Sequence, residues 1–391
     1  MTTNKDADWK AIEDRYEAST YARYPVVFER GEGIYLFDTD GKRYTDLYGG
    51  HCVAILGHSP KPVTDAIHRQ AGQLMFYSNV VYNPARARAS ERLVEMAPDG
   101  FDRVFFCNSG TEANENAIKI AWKITGRTKL VSTLGGWHGR TLASLSVTHA
   151  PKLREPFQFA LPDVSFVTFG DASALREHLI TNPDTAAFIL EPIQSINGCN
   201  TAADDYFRQV RSICDEFGVI LIFDEIQTGV GRTGAFSYCE HTGMKPDLIT
   251  LAKSLGSGFP IGAVLMPERI GSQLVHGDLG STFAGGMLAS AACEATLKEI
   301  ADNNLIERAP LIYDALSAAL KDSPVTLSGK GCLIGLKLPV ESRPVVRELF
   351  SRGWITGTSD VANVMRIMPP IITPTEIITE FAKELNDVLS S

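Results

Sequence analysis

The sequence predicts an α/β protein: one large domain with a mostly parallel sheet covered by helices, and a smaller α+β domain built from the two ends of the chain. Three observations predict it. Between about residue 100 and 265, short apolar runs alternate with stretches of helical period. Those runs are continuously apolar rather than alternating, as expected of strands buried on both faces. The two ends have a different pattern, with a hairpin near the start and mixed helices and strands near the finish. The expected division is 52–290 for the large domain, with 1–51 and 291–391 forming the smaller one.

Taken in order, "GEGIYLFDTDGKRYTDL" (31–47) reads as a hairpin turning at "DTDG". The candidate strands of the large domain are "RVFFC" (103–107), "KLVST" (129–133), "SFVTF" (165–169), "AAFIL" (186–190), "VILIF" (219–223) and "GAVLM" (262–266). Amphipathic helices are expected over 112–126 and 205–218, and a long one over about 285–304. Later strands are expected near "GCLIGLKL" (331–338) and "VMRIM" (364–368). No fixed-period repeat or low-complexity segment interrupts the pattern.

A chain of 391 residues, 44% hydrophobic and 21% charged, has the composition of a folded enzyme. Its net charge of −9 and lack of a basic run argue against nucleic acid as a partner. Seven cysteines (52, 107, 199, 214, 239, 293 and 332) form no CxxC pair. That argues against a disulfide framework and a metal site, and fits a reducing cytoplasm. The polar opening "MTTNKDADWKAIEDRYEAS" lacks the apolar core of a secretory signal. No apolar run approaches the roughly 18 residues needed to span a bilayer.

The chemistry gathers where strands end. After Cys107, Ser109, Gly110 and Thr111 open a helix, whose free N–H groups and dipole suit an anion; plain capping is the alternative. "LGGWHGRT" (134–141) sets Trp137 and His138 between glycines. A large aromatic there either covers something flat or folds back on the core. Arg140 beside them can clamp a carboxylate or join a surface pair. Glu191 ends "AAFIL" and Asp224 ends "VILIF", so two strands deliver carboxylates to one crevice at their C-terminal ends. Lys253, in "LITLAKSLGSGFPIGA" (248–263), is either snorkelling or desolvated and chemically used.

One ligand accounts for the whole set: pyridoxal 5′-phosphate, a phosphate ester with a flat ring, a basic ring nitrogen and an aldehyde. Asp224 would keep the ring nitrogen protonated, which lets the ring draw electrons from the substrate. Lys253 would hold the aldehyde as a Schiff base and, once released, carry a proton. A nicotinamide site has no support, because no GxGxxG opens a helix after a strand.

The segments "SGTEANENA", "WHGRT", "EPIQ", "FDEIQTGVGRTG", "AKSLGSGFPIGA" and "GSTFAGG" (280–286), in this order and spacing, closely resemble the class III aminotransferases of fold type I. The resemblance runs from about residue 20 to the C-terminus. It implies that Ser109, Gly110 and Thr111 hold the phosphate, joined by Thr282 of a second subunit, in a homodimer with its sites at the interface. It implies that Trp137, where the family more often has Phe or Tyr, stacks on the ring, with His138 beside it. Glu191 would lie near the cofactor, Ile226 on the opposite ring face and Gln227 at the phenolic oxygen. Lys253 would carry the cofactor, and Arg366, in "VMRIMPP", would receive a substrate carboxylate.

Length, "YSNVVYNPARARASERLVE" (77–95) and Arg140 resemble the acetylornithine and ornithine branch, in which Arg140 would take the distal carboxylate. The implied reaction moves an amino group from an ω-amine donor, N-acetylornithine or a related N-acylated diamino acid, to a 2-oxo acid such as 2-oxoglutarate or pyruvate. That branch commonly reads "EPIQGEGG"; this chain reads "EPIQSING", with Ile196 in place of a glutamate. "GGM" (285–287) and "GGHCVAILGH" (49–58) also depart from the pattern. An ω-amino acid or amine:pyruvate transaminase, or an aminomutase, stays open beside this reading. So does, more remotely, a non-catalytic binding protein on the same fold.

Overall fold

The computed structural model describes residues 8–391. The first seven residues of the polar opening stretch lie outside the described residues.

Seven strands form the central sheet: β1 (Arg103–Cys107), β2 (Lys129–Thr133), β3 (Val164–Val167), β4 (Thr185–Leu190), β5 (Ile220–Asp224), β6 (Leu248–Leu251) and β7 (Gly262–Met266). Their order is β1-β7-β6-β5-β4-β2-β3. All neighbours are parallel except β7, which runs antiparallel to both β6 and β1. Every residue of β4, β5, β6 and β7 is buried, which explains why these strands show no alternation in the sequence. β6 is a strand the sequence pattern did not single out. β5 extends one residue beyond the expected run, so Asp224 belongs to the strand and pairs in register with Thr250.

Helix α1 (Gly110–Thr125) follows β1 directly. Ser109 caps it, its Oγ accepting from the Glu112 N–H at 3.3 Å, and Gly126 closes it in the left-handed region at φ 66°. Its apolar side, including Ala113, Ala117, Ile118 and Ile120, lies against the sheet. Helix α2 (Asp204–Phe217) leads into β5, its stripe of Tyr206, Phe207, Val210 and Ile213 buried. Helix α3 (Met287–Asp302) packs on the helices Lys61–Gln73 and Pro84–Met96.

The hairpin expected over 31–47 is larger than its sequence signal. Tyr35–Asp38 and Arg43–Asp46 pair around the Asp38 turn, and Phe28–Glu32 adds a third antiparallel strand. Trp354–Ile355 then joins Arg43–Asp46 in parallel, bringing the two ends of the chain into one sheet. A second small sheet takes Thr326–Lys330, Leu333–Lys337, Val364–Ile367 and Gly357–Thr358. Backbone bonds from Met368 to Leu47 and from Ile371 to Ile55 fasten it to the N-terminal segment.

Candidate active site

The C-terminal ends of β1, β2, β4, β5 and β6 open on one cavity of about 370 Å³. This is where an open α/β sheet binds ligands, since the loops there diverge and the strand ends expose their last side chains. Ten residues singled out from the sequence line it: Ser109, Gly110, Thr111, Trp137, His138, Glu191, Asp224, Ile226, Gln227 and Lys253.

Asp224 is 3% exposed and forms the floor. Its Oδ2 accepts from Asn114 Nδ2 at 2.8 Å and lies 2.8 Å from His138 Nδ1, while Oδ1 accepts from the Ile226 N–H at 3.1 Å. Asn114 also donates to the His138 carbonyl at 2.7 Å and accepts from Thr250 Oγ1 at 2.7 Å. One helix side chain thus joins α1, β5, β6 and the 134–141 loop. Asn114 was missed by the sequence reading. Its only signal is a polar residue within the apolar stripe of α1, one turn from the start.

Glu191 accepts from the Trp137 N–H at 2.7 Å and the Ser195 N–H at 3.4 Å, and burial pushes its carboxyl up to about 7. Lys253 follows β6 with φ 35°, a left-handed conformation uncommon outside glycine. Burial lowers its pKa, and its ammonium has no hydrogen-bond or ion-pair partner among the described residues. The wall opposite is tight. A Cβ on Gly139, at φ 132°, would lie 2.4 Å from Thr111 Oγ1, so only glycine lets that loop approach α1.

Three further residues lie outside the cavity lining. Arg140 is exposed, its guanidinium 5.3 Å from the Trp137 ring centre. Arg366 is buried behind Ser195 and Tyr48, and all its partners are neutral: the Thr358 carbonyl at 2.8 Å, Ser195 Oγ at 2.9 Å and Tyr48 Oη at 2.9 Å. Thr282 is exposed on a loop beyond the cavity. Val53, Asn108 and Phe259 line the cavity without having been singled out.

Pyridoxal phosphate fits these groups. The capping pattern of α1 leaves the Gly110 and Thr111 N–H groups at the cavity for a phosphate. Asp224 offers a buried anion to a cationic ring nitrogen. His138 Nε2, buried in the same wall, has no partner among the described residues. An unpaired lysine faces the same space. Among the described residues no cluster of three or more His, Cys, Asp or Glu is arranged to hold a metal ion, and no helix is long and apolar enough to cross a membrane.

Comparison with known proteins agrees with this geometry. The family model described as aminotransferase class-III matches residues 16–389. Acetylornithine aminotransferase of Methanopyrus kandleri is 39% identical over 387 residues, covering 98% of this chain and 99% of its own. LysW-aminoadipate semialdehyde transaminase of Deinococcus radiodurans is 38% identical, covering 99% of this chain and 93% of its own. Among solved structures, the ornithine aminotransferase of Toxoplasma gondii superposes with a TM-score of 0.90 at 30% identity, over 98% of this chain and 94% of its own. The omega transaminase of Pseudomonas jessenii in complex with PMP gives 0.91 at 26%, over 98% of each chain. The chain belongs to the class III aminotransferases, fold-type I enzymes that depend on pyridoxal 5′-phosphate and exchange amino groups between amino and 2-oxo compounds.

Proposed function

We propose that this aminotransferase takes the amino group from the ω-amine of an N-acylated diamino acid, N-acetylornithine first among them, and passes it to 2-oxoglutarate or pyruvate. One observation carries the reading: Arg366 is a buried guanidinium with no carboxylate of its own, a receiver for the carboxylate of a 2-oxo acid. The names of the relatives at 38–39% identity support the N-acylated donor. Ile196 supports a second reading, an ω-amino acid or amine:pyruvate transaminase, because it leaves Arg366 without the acidic neighbour common in the acetylornithine branch.

When bound, the cofactor supplies an electron-withdrawing ring on which the amino group is exchanged. The protein does the rest. Gly110 and Thr111 would hold the phosphate through backbone N–H groups, and Trp137 and Ile226 would flank the ring. Asp224, fixed by Asn114 and His138, would keep positive charge on the ring nitrogen. Gln227 would serve the phenolic oxygen. Burial lowers the pKa of Lys253 Nζ, which favours its neutral amine relative to an exposed lysine. Lys253 would hold the cofactor's aldehyde and, once released, take and return the proton of the donor carbon. Arg140 receives the distal carboxylate at the mouth.

The same proposal makes the enzyme a homodimer with Thr282 completing the phosphate site of the partner subunit. It divides the chain into 52–290 and a smaller unit from 1–51 with 291–391. It also places the enzyme in a reducing cytoplasm, where its seven free, buried cysteines would persist. Separate half-reactions test the substrates. N-acetylornithine should convert the cofactor to its amine form, and 2-oxoglutarate should convert it back. An enzyme that accepts pyruvate but not 2-oxoglutarate overturns the acetylornithine assignment.

A further inference from the structure

Transamination brings two different molecules in turn to one site, and Arg366 must tolerate both. On the reading above, on which this inference rests, the 2-oxo acid brings a carboxylate next to its reacting carbon. The ω-amine donor brings none there. A buried guanidinium is therefore paired in one half-reaction and left without a counter-ion in the other, and an unpaired buried charge is strongly disfavoured. A permanent internal carboxylate would relieve the donor complex but compete with the acceptor. Position 196 supplies none, since it is isoleucine.

The partners that Arg366 does have are arranged as neutral acceptors. Ser195 Oγ takes a hydrogen bond from Nη1 at 2.9 Å and donates its own proton to Gln227 Oε1 at 3.0 Å. Tyr48 Oη takes one from Nη2 at 2.9 Å and lies 3.0 Å from His51 Nδ1. Burial, followed by the Arg366 and Lys253 charges, holds the His51 pKa below its usual value. With the ring hydrogen on Nε2, its Nδ1 accepts the tyrosine proton. Each hydroxyl thus has its hydrogen committed elsewhere and turns lone pairs toward the guanidinium. The Ser195 backbone N–H is bound to Glu191, and the hairpin of Ile193–Gln194 with Asn200–Thr201 sets its position.

We propose that Ser195, and Tyr48 backed by His51, are specificity-determining residues that satisfy Arg366 while the ω-amine donor occupies the site and yield it to the carboxylate of the 2-oxo acid. Because both are neutral, the arginine keeps its full charge. An incoming carboxylate displaces them, since a charge-assisted pair is the stronger bond.

Rapid-mixing measurements of the two half-reactions on the holoenzyme test this, comparing wild type with Ser195→Ala, Ser195→Thr and Tyr48→Phe. Ser195→Ala and Tyr48→Phe should each lower kcat/KM for N-acetylornithine by about 10- to 100-fold, the scale of one lost bond to a buried charge. The 2-oxoglutarate half-reaction should stay within about threefold, and Ser195→Thr should recover the donor rate. Calorimetry with glutarate, an unreactive dicarboxylate, should show binding unchanged or tighter in Ser195→Ala. Equal losses in both half-reactions, no loss in either, or weaker glutarate binding would overturn the inference while leaving the substrate assignment intact. A wild-type enzyme that takes nitrogen from no ω-amine donor would overturn both.

Discussion

Asp224 and Glu225, adjacent at the end of β5, turn away from each other and do unrelated work. Asp224 faces the cavity, held by Asn114 and His138. Glu225 points into the loop that follows, where it accepts from the Tyr238 N–H at 2.7 Å, Thr228 Oγ1 at 3.2 Å and Ser237 Oγ. The cavity carboxylate meets its cation in a ligand. The other accepts its hydrogen bonds inside the protein and ties the glycine-rich loop to the sheet.

Asp224→Asn separates charge from shape. The amide fills the same space and still accepts from Asn114, but offers no anion to a ring nitrogen. Both half-reactions should slow by about 10²- to 10³-fold, the scale of losing one preorganised electrostatic partner. The melting temperature without cofactor should change little. Equal half-reaction rates in the variant and wild type would remove Asp224 from the proposed chemistry.

Glu225 predicts a pH effect. Burial raises its carboxyl from 4.5 to about 7, so the folded state binds a proton more tightly than the unfolded chain. Its contribution to stability is then fully present below pH 4.5 and is lost as pH rises through about 7, a span of roughly 3 kcal/mol. Glu225→Gln removes the titration while keeping an oxygen for Tyr238 and Ser237. The melting temperature of the variant relative to wild type should therefore climb between about pH 5 and pH 8. A constant difference would place the raised pKa elsewhere.

The strand-ending acids, the glycine-flanked Trp137 and the apolar surroundings of Lys253 were legible because each is a local breach of pattern: charge after an apolar run, bulk in a loop, a cation in a core. Asn114 breaks pattern too, but a single polar residue in a helix stripe has many innocent causes. The antiparallel direction of β7 was not read from the sequence, because it follows only once β6 is recognised: the short stretch from Ala252 to Ile261 leaves no room for a helical crossover. β6 escaped notice because four residues, "LITL", are too few to separate from their context. The Ser195–Arg366–Tyr48 cluster was beyond reach, since it joins residues 318 positions apart and depends on how two sheets meet.

Lys253→Ala should abolish covalent attachment of the cofactor. In wild type, borohydride reduction followed by mass spectrometry should place the added mass on the peptide containing Lys253. The variant should show no such adduct and should lose turnover by at least about 10³-fold, as expected when one group both anchors the cofactor and transfers the proton. An adduct on another lysine would overturn the assignment.

The exposed surface near Thr282 makes a prediction about assembly. Phe283 is 63% exposed and tilts against Phe76 with ring centres 5.0 Å apart; Met75, Tyr77, Val80 and Tyr82, close to Phe76 in the chain, are exposed too. Exposed apolar side chains of this kind are costly to leave in water, and the proposed dimer would cover them. Phe283→Glu puts a charge that would have to be buried in that contact without changing any residue of the chain's own cavity. Sedimentation should then show wild type as a dimer and the variant shifted toward monomer. The variant should also bind cofactor more weakly, because Thr282 would no longer reach the second phosphate site. A variant that stays dimeric, or a monomer that binds cofactor as tightly as wild type, would show that the phosphate site is complete within one chain.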